Sequence, residues 1–186
     1  MTYAILVLVI AVAVGIDYNR LTRSRERAKE AWSGVEVQLE RRAKLVPNLV
    51  ATVKAYAVHE RSLFEEVARA RSALRAAARA DEAAVANGEL TRGVQRLLAL
   101  AEQYPELRAA ESFLSLQADL ADTEEKIAYA RQFFNRNVLD YDTRLRRFPT
   151  LLIGRLFGFR PLPFFEADAD QASAVSVRWS NGDDSA

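Results

Sequence analysis

The stretch of sequence that decides the fold begins with Ala31-Trp32-Ser33-Gly34-Val35-Glu36-Val37-Gln38-Leu39-Glu40-Arg41-Arg42 and belongs to a segment, residues 28–74, with one continuous pattern. Apolar side chains recur in this segment alternately three and four residues apart, and only Arg42 and Glu60 interrupt the series. The series is Trp32, Val35, Leu39, Arg42, Val46, Leu49, Val53, Tyr56, Glu60, Leu63, Val67, Ala70 and Leu74. Such a helix buries one narrow stripe. Because the repeat is about 3.5 residues, we expect a left-handed, coiled-coil-like helical bundle.

Composition restricts the classes of protein to which the chain can belong. It has 186 residues, 50% of them hydrophobic, and a formal net charge of +1. This length suffices for one sizeable core, and the abundance of Ala, Leu, Arg and Glu predicts an all-α fold. The near-neutral charge argues against a broadly basic nucleic-acid-binding protein. The sequence has no cysteine and one histidine, His59, which excludes thiolate sites and metal sites that need two histidines of one chain.

Residues 1–20 are predicted to form an N-terminal transmembrane anchor. The segment from Met1 to Ile16 is almost entirely apolar, and it would cover about 24 Å as a helix. A hydrocarbon core is about 30 Å thick, so residues 17–21 would complete the span at the interface. The alternative is the apolar core of a cleaved signal peptide. The anchor is favoured because no basic segment precedes the apolar run and Ala11-Val12-Ala13, a poor cleavage signal, lies inside it.

Basic residues follow the anchor and predict its orientation. They are Arg20, Arg23, Arg25, Arg27 and Lys29, against the single acid Glu26. The positive-inside tendency places this flank and the following bundle in the cytoplasm, with the N-terminus outside the cell membrane. If these residues are only the solvated face of the helix, the orientation stays open.

Residues 21–148 are expected to form the bundle. Pro47 would cost about 3 kcal/mol in a helix interior, but the apolar series keeps its phase across it. We therefore favour one long, kinked helix to about Ala80 over a break at Pro47 or between His59 and Ser62, where Ser62 could cap a new helix.

Turn signals divide the remainder of the bundle. Asn87-Gly88 indicates a turn within a connection over residues 81–88, followed by a helix over residues 89–103. Pro105 suits the first turn of a last helix, which is expected to run to about Arg147.

Residues 149–166 form a crowded hydrophobic segment that cannot be left fully exposed. We expect a short helix and an extended strap that docks on the open groove of the bundle. The candidate docking residues are Phe157, Phe159, Phe164 and Phe165. The alternative is an interfacial membrane contact or a partner-docking strap, with Arg155 and Arg160 at its polar edge. Residues 167–186 are polar and acidic, and they are predicted to be disordered.

The sequence predicts no catalytic residue, metal site or cofactor. His59-Glu60 begins like the zinc motif H-E-x-x-H, but the second histidine is missing. A di-metal bundle needs Glu-x-x-His, and Tyr56 stands where the glutamate would be. Arg42 and Glu60 are expected to be buried polar groups that fix helix register. The candidate polar or interaction site comprises Arg42, Asn48, His59 and Glu60.

Motifs in order along the chain resemble the LemA family. They include Tyr18-Asn19-Arg20-Leu21, Ala31-Trp32-Ser33, Val37-Gln38-Leu39, Arg41-Arg42, Val46-Pro47-Asn48-Leu49-Val50, His59-Glu60, Tyr104-Pro105, Phe134-Asn135, Gly158-Phe159 and Phe165-Glu166. The sequence departs at Phe134 and Asp142, where the family usually shows Tyr and Asn. The resemblance implies a four-helix bundle behind a membrane anchor, with no established enzymatic activity. It also implies an adaptor linked loosely to membrane stress and to membrane metallopeptidases.

Three functional hypotheses follow. The leading one is a non-enzymatic, single-pass membrane scaffold that acts in membrane stress or quality control. Its expected contacts are the lipid bilayer, a protein partner such as a membrane metallopeptidase, and further copies of the chain, but no nucleic acid. The second is a small-molecule or metal-binding enzyme using His59 and Glu60, and the third is a membrane-remodelling protein using the aromatic strap. An unbroken first helix would start the strap far from the bilayer, whereas a broken one would return it to the membrane.

Overall fold

The computed structural model describes residues 1–57 and 59–166, with the side chain of Ile10 left aside. Within these residues the regular structure is entirely helical, which confirms the predicted all-α fold. The helices are α1 (Thr2–Lys54), α2 (Arg61–Ala76), α3 (Ala80–Ala101), α4 (Pro105–Ala109), α5 (Glu111–Arg146) and α6 (Thr150–Leu156). The tail predicted to be disordered, residues 167–186, lies outside the described residues.

The first helix passes through Pro47 but does not reach Ala80. It ends at Lys54, so the favoured single helix is wrong and the alternative break near His59 is the observed one. The Tyr56 and Ala57 amides both donate to the Val53 carbonyl at 3.0 Å, which closes the turn. The apolar series could not reveal this reversal, because its first part is buried by α1 and its last part by α2. The proposed Ser62 cap is also wrong, since α2 begins at Arg61.

Over residues 17–146, the described chain crosses the bundle four times. Side-chain contacts fix the direction of each pass, because α2 and α5 run antiparallel to α1 and α3 runs antiparallel to α2. The contacts are Arg71 Nε to the Ala43 carbonyl at 2.7 Å, Arg96 Nη1 to Glu66 Oε2 at 2.6 Å, Arg41 Nη1 to Asp122 Oδ2 at 2.8 Å and Ser24 Oγ to Asp140 Oδ2 at 3.3 Å. The pairs α1/α5 and α2/α3 therefore pack together as an up-and-down bundle.

Two predicted boundaries differ from the structure. Helix α3 begins at Ala80, so Asn87-Gly88 lies inside a helix and does not form a turn. Asn87 is buried and hydrogen-bonded to Arg42 from another helix, and this tertiary contact overrides its local turn preference. The last predicted helix is interrupted at Ala110, which has an extended conformation between α4 and α5. Pro105 occupies the first turn of α4, as predicted.

The core changes its composition along the α1/α5 pair. Between the α2/α3 pair and α1/α5 most of its side chains are aliphatic, and the phenylalanines Phe64 and Phe113 are also buried in this core. Fully buried aliphatic members include Val35, Val46, Leu49, Val53, Val67, Leu90 and Leu97. We call the end of the bundle beside residues 17–21 the base, and the end beside Lys54 the distal end. Near the base, Leu21, Tyr141 and Leu145 form a second, smaller cluster.

The strap comprises residues 157–166 and follows α6. Gly158 has a φ of +73°, a conformation that side-chain-bearing residues rarely adopt, and it turns the chain out of α6. Phe159 and Leu162 then pack against the smaller cluster, while Phe165 reaches the main core. The strap thereby takes the place that α2 and α3 occupy closer to the distal end.

The N-terminal part of α1 projects beyond the bundle. Its apolar side chains are exposed, and among the described residues α1 is the one helix long and apolar enough to cross a membrane. Since α1 continues into the bundle without a break, the apolar segment and the core belong to one rod.

Candidate functional site

The four polar residues selected from the sequence do not form one site. Arg42 is 4% exposed inside the bundle, whereas Asn48, His59 and Glu60 are exposed. His59 and Glu60 lie in the turn between α1 and α2 at the distal end. The expectation that Glu60 is buried is wrong, because the chain reversal removes it from the apolar stripe and leaves it at the N-terminus of α2.

Arg42 instead joins three helices. Its Nη1 donates to Asn87 Oδ1 at 3.0 Å and to Thr91 Oγ1 at 2.9 Å, and it lies 2.7 Å from Glu124 Oε2. Burial lowers the pKa of the Arg42 guanidinium, and the nearby Glu124 charge opposes that shift. An arginine stays protonated at neutral pH even so. The cation is therefore paired within the bundle, and the role in fixing helix register that the sequence suggests stays a prediction.

Sequence reasoning missed the partners of Arg42. Asn87 resembles a turn residue, and Glu124 lies in a run of alternating charge that is ordinary for a solvated face. The available signal was the spacing of Asn87 and Thr91, which stand four residues apart and so share a helix face.

Side chains of α5 hold the backbone of the strap. Asn135 Oδ1 accepts from the Phe165 amide at 2.9 Å, and Asn135 Nδ2 donates to the Phe165 carbonyl at 3.1 Å. Closer to the base, the Tyr141 hydroxyl donates to the Arg160 carbonyl at 2.8 Å. Burial raises the pKa of this phenol, which keeps it a donor. These bonds supply the partners that an extended segment lacks when it pairs with no other strand.

Asp142 takes part in the same arrangement. Its Oδ1 accepts from the Leu162 amide at 3.4 Å, and the residue is buried. A carboxylate can accept this bond as the side-chain oxygen of an asparagine would. The departure from the usual family residue at this position therefore leaves a suitable acceptor for the strap.

The upper end of the strap completes an aromatic core. Phe165 is 2% exposed, and its ring centroid lies 6.0 Å from that of Trp32. The centroids of Trp32 and Phe134 are 5.2 Å apart. Phe164 is half-buried and packs against the main core. Of the four candidate strap aromatics, these two therefore pack against the main core, whereas Phe159 packs against the smaller cluster near the base.

The lower end of the strap lies beside the end of the apolar N-terminal segment. The Tyr18 ring centroid lies 5.0 Å from that of Phe157 and 5.7 Å from that of Phe159. The Arg25 guanidinium stands 5.8 Å from the centre of the Phe159 ring, within range of a cation–π interaction. Phe157 is 52% exposed although it touches Tyr18.

An apolar surface lies exposed at the base. Its members are Phe148 at 81% exposure, Leu152 at 58%, Leu156 at 79% and Phe157 at 52%. We call these four residues, together with the exposed Arg147 and Arg155, the basal surface. Exposed groups of large apolar side chains are typical of sites that contact a protein, a membrane or a ligand.

A groove of about 850 Å³ runs between α1 and α5 on the side away from α2. Small side chains on α1, Ala31 and Gly34, form one wall, and Tyr129 and Phe133 of α5 form the other. A Cβ added at Gly34 would meet no atom within 4 Å. Gln38, also in this groove, has a buried Oε1 without a hydrogen-bond partner among the described residues. We call this feature the α1/α5 groove.

Two magnetosome proteins are among the relatives of the chain. Magnetosome protein MamQ of Magnetospirillum gryphiswaldense is 25% identical over 174 residues, a match that covers 80% of this chain and 64% of the relative. Magnetosome protein MamQ 2 of Paramagnetospirillum magneticum is 23% identical over 175 residues, with the same coverage of 80% and 64%. The chain thus spans less than two thirds of the length of these relatives.

A family match covers a similar share of the chain. The sequence model of the LemA family matches residues 31–179, which is most of the chain. The apolar N-terminal helix and the similarity to magnetosome proteins are both consistent with membrane association. The chain belongs to the LemA family.

Proposed function

We propose that this LemA family protein is a non-enzymatic, single-pass membrane scaffold. The continuity of α1 carries the proposal, since one helix contains both the apolar segment and a wall of the bundle core. A rigid connection of this kind would hold the bundle at a fixed distance from the bilayer. The arginine-rich flank after residue 19 supports a cytoplasmic bundle and an external N-terminus.

The scaffold is proposed to act in membrane stress or membrane protein quality control. A membrane metallopeptidase is the class of partner that the family resemblance suggests. The similarity to magnetosome proteins is compatible with a role at a membrane.

The α1/α5 groove is proposed as the partner site. A groove walled by Ala31 and Gly34 lets the backbone of a partner helix approach closely, and Tyr129 and Phe133 supply aromatic contact area. Charges of both signs line the groove, including Arg27, Glu30, Glu125 and Lys126. This arrangement suits an amphipathic helix that carries both signs of charge. The occupant we propose is such a helix from a protein in the same membrane.

The enzymatic alternative has less support. His59 and Glu60 are exposed in the turn between α1 and α2. The part of the chain that the structure describes contains no group of three or more His, Cys, Asp or Glu residues close enough to hold a metal ion.

Site-specific photocrosslinking in membranes tests the scaffold proposal. A photoreactive amino acid in place of Phe133 in the full-length protein should give a discrete adduct with a second membrane protein. Gly34→Leu should abolish that adduct because the new side chain occupies the groove, and a Cβ at this position meets no atom of the bundle within 4 Å. Ser33→Leu is the matched control, since it changes an exposed neighbour on another face of α1.

Each outcome has a defined meaning. Loss of the adduct in Gly34→Leu and its retention in Ser33→Leu would support a partner helix in the groove. An adduct of twice the mass of the chain would identify a second copy as the occupant and overturn the heterologous partner. An adduct that survives Gly34→Leu, or none at all, would contradict the groove as the partner site.

A further inference from the structure

Helix α6 lies across the base of the bundle. Its beginning is close to α1 at the level of residues 17–21, because Phe148 and Thr150 share a small cavity with Asp17 and Leu21. Its end lies at the same level, since Phe157 follows α6 directly and touches Tyr18. A helix with both ends at one height along α1 must lie roughly perpendicular to it.

This level coincides with the end of the apolar N-terminal segment. Tyr18 stands two residues after Ile16, the last residue of that segment, which corresponds to about 3 Å along the helix axis. If α1 crosses the bilayer as proposed above, α6 therefore lies at the lipid–water interface.

Helix α6 buries one face and exposes an apolar one. Ile153 and Gly154 face the bundle, and a Cβ at Gly154 would collide with the side chain of Leu145. Leu152 and Leu156 lie on the opposite face, next to Arg155. A surface helix of a soluble protein would present polar residues on that face.

The region around α6 is strongly basic. Residues 143–165 contain no acidic residue and five arginines, namely Arg144, Arg146, Arg147, Arg155 and Arg160. Asp140 and Asp142 of α5 pair with the first two of these. Arg147 and Arg155 are exposed, and neither forms an ion pair with another of the described residues.

We propose that the basal surface binds anionic phospholipid headgroups of the bilayer in which α1 is anchored. Leu152, Leu156 and the neighbouring phenylalanines enter the headgroup region, while Arg147 and Arg155 contact lipid phosphates. This second contact fixes the tilt of the bundle relative to the bilayer. The inference rests on the proposed membrane anchor and extends it, because an anchor alone would leave the bundle free to tilt.

Two matched labels test the inference in the full-length protein. The sequence contains no cysteine, so Leu152→Cys and Leu114→Cys each introduce a single attachment point for an environment-sensitive fluorophore. Both leucines are similarly exposed, at 58% and 50%, but Leu114 lies on α5 near the distal end. The protein is reconstituted into vesicles of phosphatidylcholine alone or of phosphatidylcholine with phosphatidylglycerol, each containing brominated lipid as a quencher.

The expected result is several-fold stronger quenching at position 152 than at position 114 in the phosphatidylglycerol vesicles. Quenching at position 152 should decrease in phosphatidylcholine alone, and the double substitution Arg147→Gln/Arg155→Gln should remove that dependence on lipid charge. Equal quenching at the two positions would overturn the lipid contact. Equal quenching at position 152 in both lipids would overturn the selectivity for anionic headgroups.

Flotation of the vesicles separates this inference from the proposed function. Protein that floats with the vesicles but shows no quenching at position 152 would overturn the basal contact and leave the anchor intact. Protein that does not float would contradict the anchor itself, and the basal contact would fall with it.

Discussion

The two halves of the α1/α5 pair are closed in different ways. Toward the distal end, α2 and α3 cover the pair, and Arg42 makes a buried polar contact among three helices. Toward the base, the ten-residue strap covers the pair. Phe165 packs into the core, and Asn135 and Tyr141 form hydrogen bonds with the strap backbone. An extended segment can replace a helix pair only if its backbone polar groups find partners, and α5 provides them.

The strap itself contains both buried and exposed aromatic residues. Phe165 at one end of the strap is buried in the core, whereas Phe157 at the other end stays half-exposed beside Tyr18. The sequence pattern does not distinguish these two phenylalanines, because both follow glycine- or proline-interrupted apolar runs. Their environments predict very different effects of substitution.

The largest effect is expected for Phe165→Ala. Removing a buried aromatic ring leaves a cavity against Trp32 and Phe134 and should lower the free energy of unfolding by about 3–5 kcal/mol. Phe157→Ala, the matched control, should cost less than about 1 kcal/mol because its ring is already half-exposed. Chemical denaturation of the full-length protein in detergent measures both. Equal costs for the two substitutions would refute the distinction between the two ends of the strap.

A smaller effect is expected for Arg42→Met in the distal half. The change leaves Asn87 without its buried donor and should cost about 2–3 kcal/mol. Arg41→Met removes a half-exposed ion pair with Asp122 and should cost less than about 1 kcal/mol. The same denaturation experiment compares them, and a cost for Arg42→Met no greater than that for Arg41→Met would exclude a structural role for the buried cation.

Asn135→Ala tests the polar attachment of the strap. It removes both hydrogen bonds to the Phe165 backbone and should cost about 1–2 kcal/mol. Asn137→Ala is the control, because the Asn137 side chain donates to the Phe133 carbonyl within its own helix. Thermal unfolding of the two variants should rank Asn135→Ala as clearly less stable, and the reverse order would disprove the attachment of the strap by Asn135.

The smallest effects are expected at two helical glycines and should have opposite signs. Gly34→Ala adds a methyl group in the open α1/α5 groove and should stabilise the protein by about 0.5–1 kcal/mol through its helix preference. Gly93→Ala places a Cβ 2.8 Å from Val67 Cγ2 between α3 and α2 and should destabilise the protein. Stabilisation by both substitutions would contradict the close packing of α2 against α3 at Gly93.

Much of the architecture could be predicted from local pattern. The three-and-four spacing specified the buried stripe of α1, and its unbroken phase correctly carried that helix through Pro47. The same unbroken phase led to the wrong prediction that the helix continues past His59. The apolar residues of the antiparallel helices α1 and α2 happen to follow one another at the same spacing in the sequence. Asn87 was wrongly predicted to lie in a turn. Its helical conformation is accompanied by a hydrogen bond from Arg42, which is distant in sequence.

The site was less accessible to sequence reasoning. The exposure of Phe157 and the burial of Phe165 depend on where the strap crosses α1 and α5, which no local pattern encodes. The basal surface likewise appears only once four passes bring α6 back beside Tyr18. Its arginines and leucines were visible in the sequence, but their common position was not.

Hydrogen exchange of the full-length protein tests the central difference between the two halves most directly. In the unchanged protein, the strap amides of Leu162 and Phe165 should be protected, because they donate to Asp142 and Asn135. In Asn135→Ala, exchange should accelerate in the strap and in the base-side parts of α1 and α5, while α2 and α3 keep their protection. Uniform acceleration throughout the bundle, or no change in the strap, would contradict the account of a base closed separately by the strap.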